Sequence, residues 1–167
     1  LAGEAQKTGG KRLFSIVPQS LGRPGVPLER IDPLQLKPPA PDQAMMVGHG
    51  DFIETSFSML SLFRLIADLP KNARILEPGC GLGRVAYALV HYLEGTGWYD
   101  GFDVSERAIQ IAQSIFSESK RASFQHVDLY NKMYNASGTI LSRAFTFPFP
   151  ASHFDFIVLT SVFTHML

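Results

Sequence analysis

The feature that most constrains this chain is Glu77-Pro78-Gly79-Cys80-Gly81-Leu82-Gly83-Arg84, a glycine-rich turn between two segments of different periodicity. Ahead of it, Ala73-Arg74-Ile75-Leu76-Glu77 reads as a short apolar strand, and behind it Val85 to Leu93 reads as a helix stopped near Gly95 and Gly97. Glycine accepts positive φ and lets another group approach the backbone closely. In a parallel sheet such a turn lies at the carboxyl end of its strand, where the ligand crevice forms.

The remaining pattern extends this unit. Asp51 and Glu54 form a capping pair for a helix that places Phe52, Met59, Leu60, Phe63, Ile66 and Ala67 on one face and stops at Pro70. Trp98 to Val104 is a second strand, and Ser105 caps a helix with Ile109, Ala112, Ile115 and Phe116 inward. Phe124 to Leu129 is a third strand. Residues 130–152 are irregular, and His153 to Thr160 is a fourth, fully buried strand. Strands alternating with helices predict an α/β domain, a Rossmann-like doubly wound sheet, mainly parallel, with helices on both faces. With 167 residues, 46% of them apolar, one core of ordinary size can form. Residues 1–45 read as a Pro/Gly-rich arm or linker and residues 46–167 as the domain.

Charge and cysteine content narrow the partners. Fifteen basic and fifteen acidic residues cancel, which gives no electrostatic reason to expect nucleic acid. No apolar run is long enough to span a bilayer. Residues 1–12 lack the apolar stretch of a secretory signal, and the single cysteine, Cys80, has no internal disulfide partner, so a cytoplasmic location is expected. The five histidines show no metal-ligand spacing, and no metal is predicted.

Spacing separates nucleotide classes. The dinucleotide fingerprint is GxGxxG, but here Arg84 takes the place of its last glycine. The phosphate-loop pattern is absent, and no lysine follows Gly83. A ligand without a pyrophosphate fits better, such as S-adenosylmethionine (SAM), which carries an amino acid where NAD carries phosphates. Glu77 would repel a pyrophosphate and suit an ammonium, directly or through water. Asp103 lies about 20 residues past the turn, the separation of an acid that grips a ribose diol. Asp128 could accept from an adenine amino group, with Leu129 beside the ring.

Over roughly residues 36–167 the chain resembles class I SAM-dependent methyltransferases. The resemblance rests on Arg74 to Arg84, Gly101-Phe102-Asp103-Val104-Ser105, the strand ending at Asp128, and Phe154 to Met166. The last segment resembles the fourth strand of bacterial small-molecule methyltransferases. The lead-in Lys37-Pro38-Pro39 with Val47-Gly48-His49-Gly50-Asp51-Phe52 looks like a bacterial subgroup. The resemblance implies SAM as cofactor and a small-molecule acceptor. It implies a cofactor-lining set of Glu77, Gly79, Cys80, Gly81, Gly83, Asp103, Val104, Asp128, Leu129, Thr160 and Ser161. Within that set the turn would hold the methionine end, Asp103 the ribose, Asp128 and Leu129 the adenine, and Thr160 and Ser161 the rim near the sulfonium. His165 is the candidate general base and Tyr134 a second.

Glu77 stands where the family more often has Asp. The family sheet has seven strands and this sequence stops after the fourth, so an incomplete sheet is expected, its edge covered by a missing C-terminal segment or a partner. Plainer readings stand beside these. Asp103 also suits a helix-start cap with Ser105, Asp128 a turn, Asp155 a structural role, His165 an ordinary histidine and Cys80 a packing residue. Phe145, Phe147 and Phe149 alternate as in a strand or an apolar patch. Two other functions stay open: a non-catalytic binding or scaffold module, and a nicotinamide oxidoreductase, which Arg84 disfavours.

Overall fold

A computed structural model describes residues 13–15, 36–160 and 162. Its strands are β1 (Leu13–Ser15), β2 (Arg74–Pro78), β3 (Trp98–Asp103), β4 (Ala122–His126) and β5 (Phe156–Leu159). Its helices are α1 (Pro41–Ala44), α2 (Phe52–Ala67), α3 (Arg84–Tyr92) and α4 (Glu106–Ile115). The four strands expected from sequence are β2 to β5, and all pair in parallel in the order β1-β5-β2-β3-β4. The chain thus has the α/β, Rossmann-like sheet that the alternation predicts.

Each strand sorts its side chains to opposite faces, as the pleat requires. Ile75 and Tyr99 enter the larger core with α2, α3 and α4, whereas Leu76 and Phe102 enter a smaller one. The crossovers β2-α3-β3 and β3-α4-β4 advance in one direction, and right-handed connections then put both helices on one face. Among the described residues the other face is covered by aromatics of the 127–154 segment: Phe145 and Phe149 pack against Leu76, Phe102 and Phe154.

Local chemistry sets the element ends. Asp51 caps α2 by accepting from the Glu54 amide at 2.7 Å, and Ser105 caps α4 by accepting from the Ala108 amide at 3.3 Å. The inward stripe of α2 is Phe52, Ser56, Met59, Leu60 and Phe63. Ser56 was not expected there; its hydroxyl accepts from the Ala88 amide at 2.7 Å where α2 lies on α3. Ile66, expected inward, is exposed, because the last turn of α2 runs past the core before Asp68 ends the helix with φ 48°. β4 stops at His126, two residues short of Asp128, and the chain turns into the long loop there.

Two described parts of the N-terminal region, residues 13–15 and Leu36, are bonded to the domain. β1 lies beside β5, with Leu13 opposite Ile157 and Ser15 opposite Leu159, so the edge of β5, expected to be covered by a missing C-terminal segment or a partner, carries a strand of the same chain. Tyr87 of α3 donates to the Leu36 carbonyl at 2.9 Å and ties the lead-in to the domain. No helix of the described residues is long and apolar enough to cross a membrane.

Candidate functional site

The glycine turn leaves β2, the central strand, at its carboxyl end. Its residues alternate: Cys80 and Leu82 are buried in the core, while Gly79, Gly81 and Gly83 take φ of 73°, 53° and 77°. Leu82 is the anchor, fully enclosed, and burial of such a side chain is worth about 1.5–3 kcal/mol. Gly83 is needed for space as well as φ, since a Cβ there would lie 2.6 Å from the Phe116 ring. Burial pushes the Cys80 thiol well above its ordinary pKa, which suits a packing residue and not a nucleophile. The Cys80 side chain is therefore closed to a ligand.

The turn is held to β3 by three hydrogen bonds. Gly79 and Cys80 both donate to the Phe102 carbonyl, at 2.7 and 3.1 Å, and Gly81 donates to Asp103 Oδ2 at 2.8 Å. Asp103 Oδ1 accepts from the Ser105 amide at 2.8 Å. Asp103 therefore both faces the turn and stabilises the approach to α4, so the two readings of this residue coexist. Val104 follows it, its carbonyl 3.2 Å from His126 Nε2.

Glu77 lies under the turn and not on its surface, only 1% exposed. Tyr99 donates to its Oε2 at 2.5 Å and Thr160 to its Oε1 at 3.0 Å, linking β2 to β3 on one side and to the residue after β5 on the other. Burial raises the carboxyl from 4.5 to about 8, against the two hydroxyl donors. Direct contact with a ligand ammonium, one of the two modes expected from sequence, would require the turn to open. Hydroxyls can donate or accept, so Tyr99 and Thr160 serve the carboxyl in either protonation state. Tyr99 was missed in the sequence. The signal was present: a buried acid needs a donor, and strand pairing puts Glu77 opposite Gly101, two residues beyond Tyr99.

Asp128 is committed to its own loop. Thr139 donates to Oδ2 through its hydroxyl at 2.5 Å and its amide at 3.1 Å, and Asn135 Nδ2 donates to Oδ1 at 3.2 Å. These bonds, the Thr139 hydroxyl first, hold the Asp128 carboxyl below its usual pKa. Leu129 is half-buried beside it, and its carbonyl accepts from Asn135 at 3.1 Å. Tyr134 lies on the same loop, half-exposed, its amide donating to Asn131 Oδ1 at 3.0 Å. Asp155 has the structural role expected, accepting from the Arg74 amide at 2.9 Å. Ser161 and His165 lie outside the described residues.

The structure thus brings Gly79, Gly81, Gly83, Asp103 and Val104 together at the ends of β2 and β3, with Thr160 bonded to Glu77 beneath. Asp128 and Leu129 begin the next loop along; Val127, just before them, donates to the Asp103 carbonyl at 3.0 Å. A parallel sheet whose central strand opens into a glycine turn, clasped by an acid at the end of the neighbouring strand, defines a Rossmann-like α/β domain. The chain belongs to a methyltransferase family: the family model described as "Methyltransferase domain" matches residues 57–167.

Solved structures are similar over part of the chain. The YcgJ protein from Bacillus subtilis is 21% identical, with 62% of this chain and 37% of that one covered and a TM-score of 0.42. The (4+2)-cyclase SpnF is 21% identical, with 69% and 42% covered and a TM-score of 0.47. Magnesium protoporphyrin IX methyltransferase from Synechocystis PCC 6803 with bound SAH is 20% identical, with 51% and 44% covered and a TM-score of 0.37. The chain spans less than half the length of each.

Proposed function

We propose that this domain binds SAM across the Gly79–Gly83 turn and is the donor-binding part of an enzyme that methylates a small molecule. The observation that carries the reading is the Asp103 carboxylate, which accepts from Gly81 and Ser105 at 2.8 Å each. A carboxylate offers about four acceptor positions. The two left over suit the adjacent hydroxyls of a ribose. The turn itself, with glycines where a ligand would lie and no lysine, suits an amino-acid tail better than a pyrophosphate. Membership of the methyltransferase domain family supports the same reading.

When bound, SAM supplies a methyl group on a sulfonium that is already a good leaving group. The protein then has to align donor and acceptor and exclude water. In this reading Gly79, the Cys80 backbone, Gly81 and Gly83 line the methionine end, while Glu77 supports the turn from below. Asp103 and Val104 hold the ribose, Asp128 and Leu129 lie towards the adenine, and Thr160 and Ser161 form the rim. A base is needed only for an acceptor protonated at working pH; His165 is assigned that role, with Tyr134 second. The single cysteine, with no second one to form an internal disulfide, supports a cytoplasmic location.

Calorimetric titration with SAM, its demethylated product S-adenosylhomocysteine (SAH) and NAD tests the proposal. Binding of the first two without NAD is the expected result. Binding of NAD alone would return the chain to the oxidoreductases, and silence toward all three would favour a non-catalytic module.

A further inference from the structure

The lead-in to α2 reaches the glycine turn. After α1 the chain makes a 3₁₀ turn, Met45–Val47, followed by Gly48-His49-Gly50. Met45, Met46 and residues 48–50 are exposed; Val47 is the one residue of this stretch that turns inward, packed against the core. Its Cγ1 stands 2.6 Å from where a Cβ on Gly81 would be. Gly81 is the residue whose amide is bonded to Asp103. Val47 therefore occupies the side-chain position that Gly81 leaves empty, on the residue whose amide holds the acid.

The segment is fixed at both ends and permissive between them. Upstream, the Leu36 carbonyl accepts from Tyr87 at 2.9 Å. Downstream, Asp51 caps α2 through the 2.7 Å bond from Glu54. Between these anchors, Gly48 and Gly50 take φ of 95° and 104°, values that side-chain-bearing residues rarely adopt. These two glycines flank the exposed His49 and turn the chain from Val47 into the start of α2.

We infer that Val47 is a binding residue of the cofactor site, and that residues 45–50 form a strap which packs onto the occupant of the turn. The inference rests on the reading that this turn binds a SAM-type nucleoside. Such a ligand reaches the Gly81 backbone only by sharing that surface with Val47. The isopropyl group offers an apolar contact to the methylene and sulfur section of the tail. A charged side chain there would be desolvated without a partner.

The test uses the full chain and SAH. Amide hydrogen exchange on the unmodified protein is measured first; SAH should slow exchange across residues 45–50. Isothermal titration then compares Val47→Ile, Val47→Ala and Val47→Asp, each with its ligand-free melting temperature. Val47→Ile should bind within about twofold of the parent, and Val47→Asp should lose roughly tenfold or more; its melting temperature should fall as well, because Val47 packs against the core, so the milder Val47→Ala, weakened in binding at a melting temperature near the parent's, separates lost contact from lost stability. If the parent binds SAH but exchange at residues 45–50 is unchanged, or if Val47→Ala and Val47→Asp both bind like the parent, the strap is overturned and the cofactor reading stands. If the parent does not bind SAH at all, both readings fall together.

Discussion

The Gly81 amide donates to Asp103 Oδ2 across 2.8 Å, so the glycine turn and the acid of the next strand are bonded directly to each other. The bond closes the mouth of β2 against β3 at the point where a nucleoside is proposed to sit.

Removing the acceptor should separate the two elements. Asp103→Ala frees the Gly81 and Ser105 amides together. Hydrogen bonds to a charged acceptor contribute about 1.5–3 kcal/mol each, and exposure of the freed amides to water recovers part of that. A loss of about 2 kcal/mol in urea unfolding is expected, with SAH affinity down at least tenfold by calorimetry. Asp103→Asn keeps one carbonyl acceptor and should fall between. An Asp103→Ala variant that binds SAH normally would remove Asp103 from the site.

Gly83→Ala probes the turn through packing. The new methyl group would meet the Phe116 ring at 2.6 Å and Phe124 at 3.0 Å, at φ 77°. Left-handed backbone alone costs a non-glycine residue roughly 1–2 kcal/mol, and overpacking adds about 1–3 kcal/mol. Thermal unfolding should show a drop of several degrees. Gly95→Ala is the control: its φ is 55° but nothing lies within 4 Å, so only the backbone cost applies.

Much of this arrangement was legible in the sequence. The apolar run Ile75-Leu76 marks a buried strand because a parallel sheet covers both faces, whereas Phe156 to Leu159, read as fully buried, alternates, with Ile157 and Leu159 only partly buried. The turn was legible because glycines between a strand and a helix have few other uses. The contents of the site were less so. Val47 meets Gly81 from 34 positions upstream, and no periodicity reports a contact made by loop closure. Asp128 looked free to bind a base, yet Thr139 and Asn135 had claimed its oxygens within the irregular stretch. Ile66 continued the apolar period of α2 beyond the surface it packs on. In each case the partner was set by tertiary geometry and not by spacing along the chain.

Asp128 can be released from its loop without touching the carboxylate. Thr139→Val removes the hydroxyl donor, the largest cause of the lowered pKa, and leaves the Thr139 amide and Asn135 in place. The Asp128 carboxyl should then titrate higher, as read by carboxyl-carbon NMR. An unchanged titration would mean that the loop opens in solution.

The buried acid gives the protein a pH dependence of definite sign. Glu77 holds its proton up to about 8 when folded, against 4.5 for an exposed glutamate. Between those values the folded state binds more protons than the unfolded chain, so stability falls as pH rises. The contribution is fully present below 4.5 and is lost as pH passes through about 8. At about 1.36 kcal/mol per pKa unit the whole span is on the order of 5 kcal/mol. Tyr99 and Cys80, also pushed up by burial, are common to the parent and a Glu77 variant, so their contribution cancels when the two are compared. Glu77→Gln keeps the shape and one carbonyl acceptor for Tyr99 or Thr160 but cannot titrate. Urea unfolding from about pH 5 to about pH 9 should show the Gln variant gaining on the parent up to about pH 8, with the difference level beyond. A constant difference across that range would mean that Glu77 is ionised throughout, and that water reaches the base of the turn.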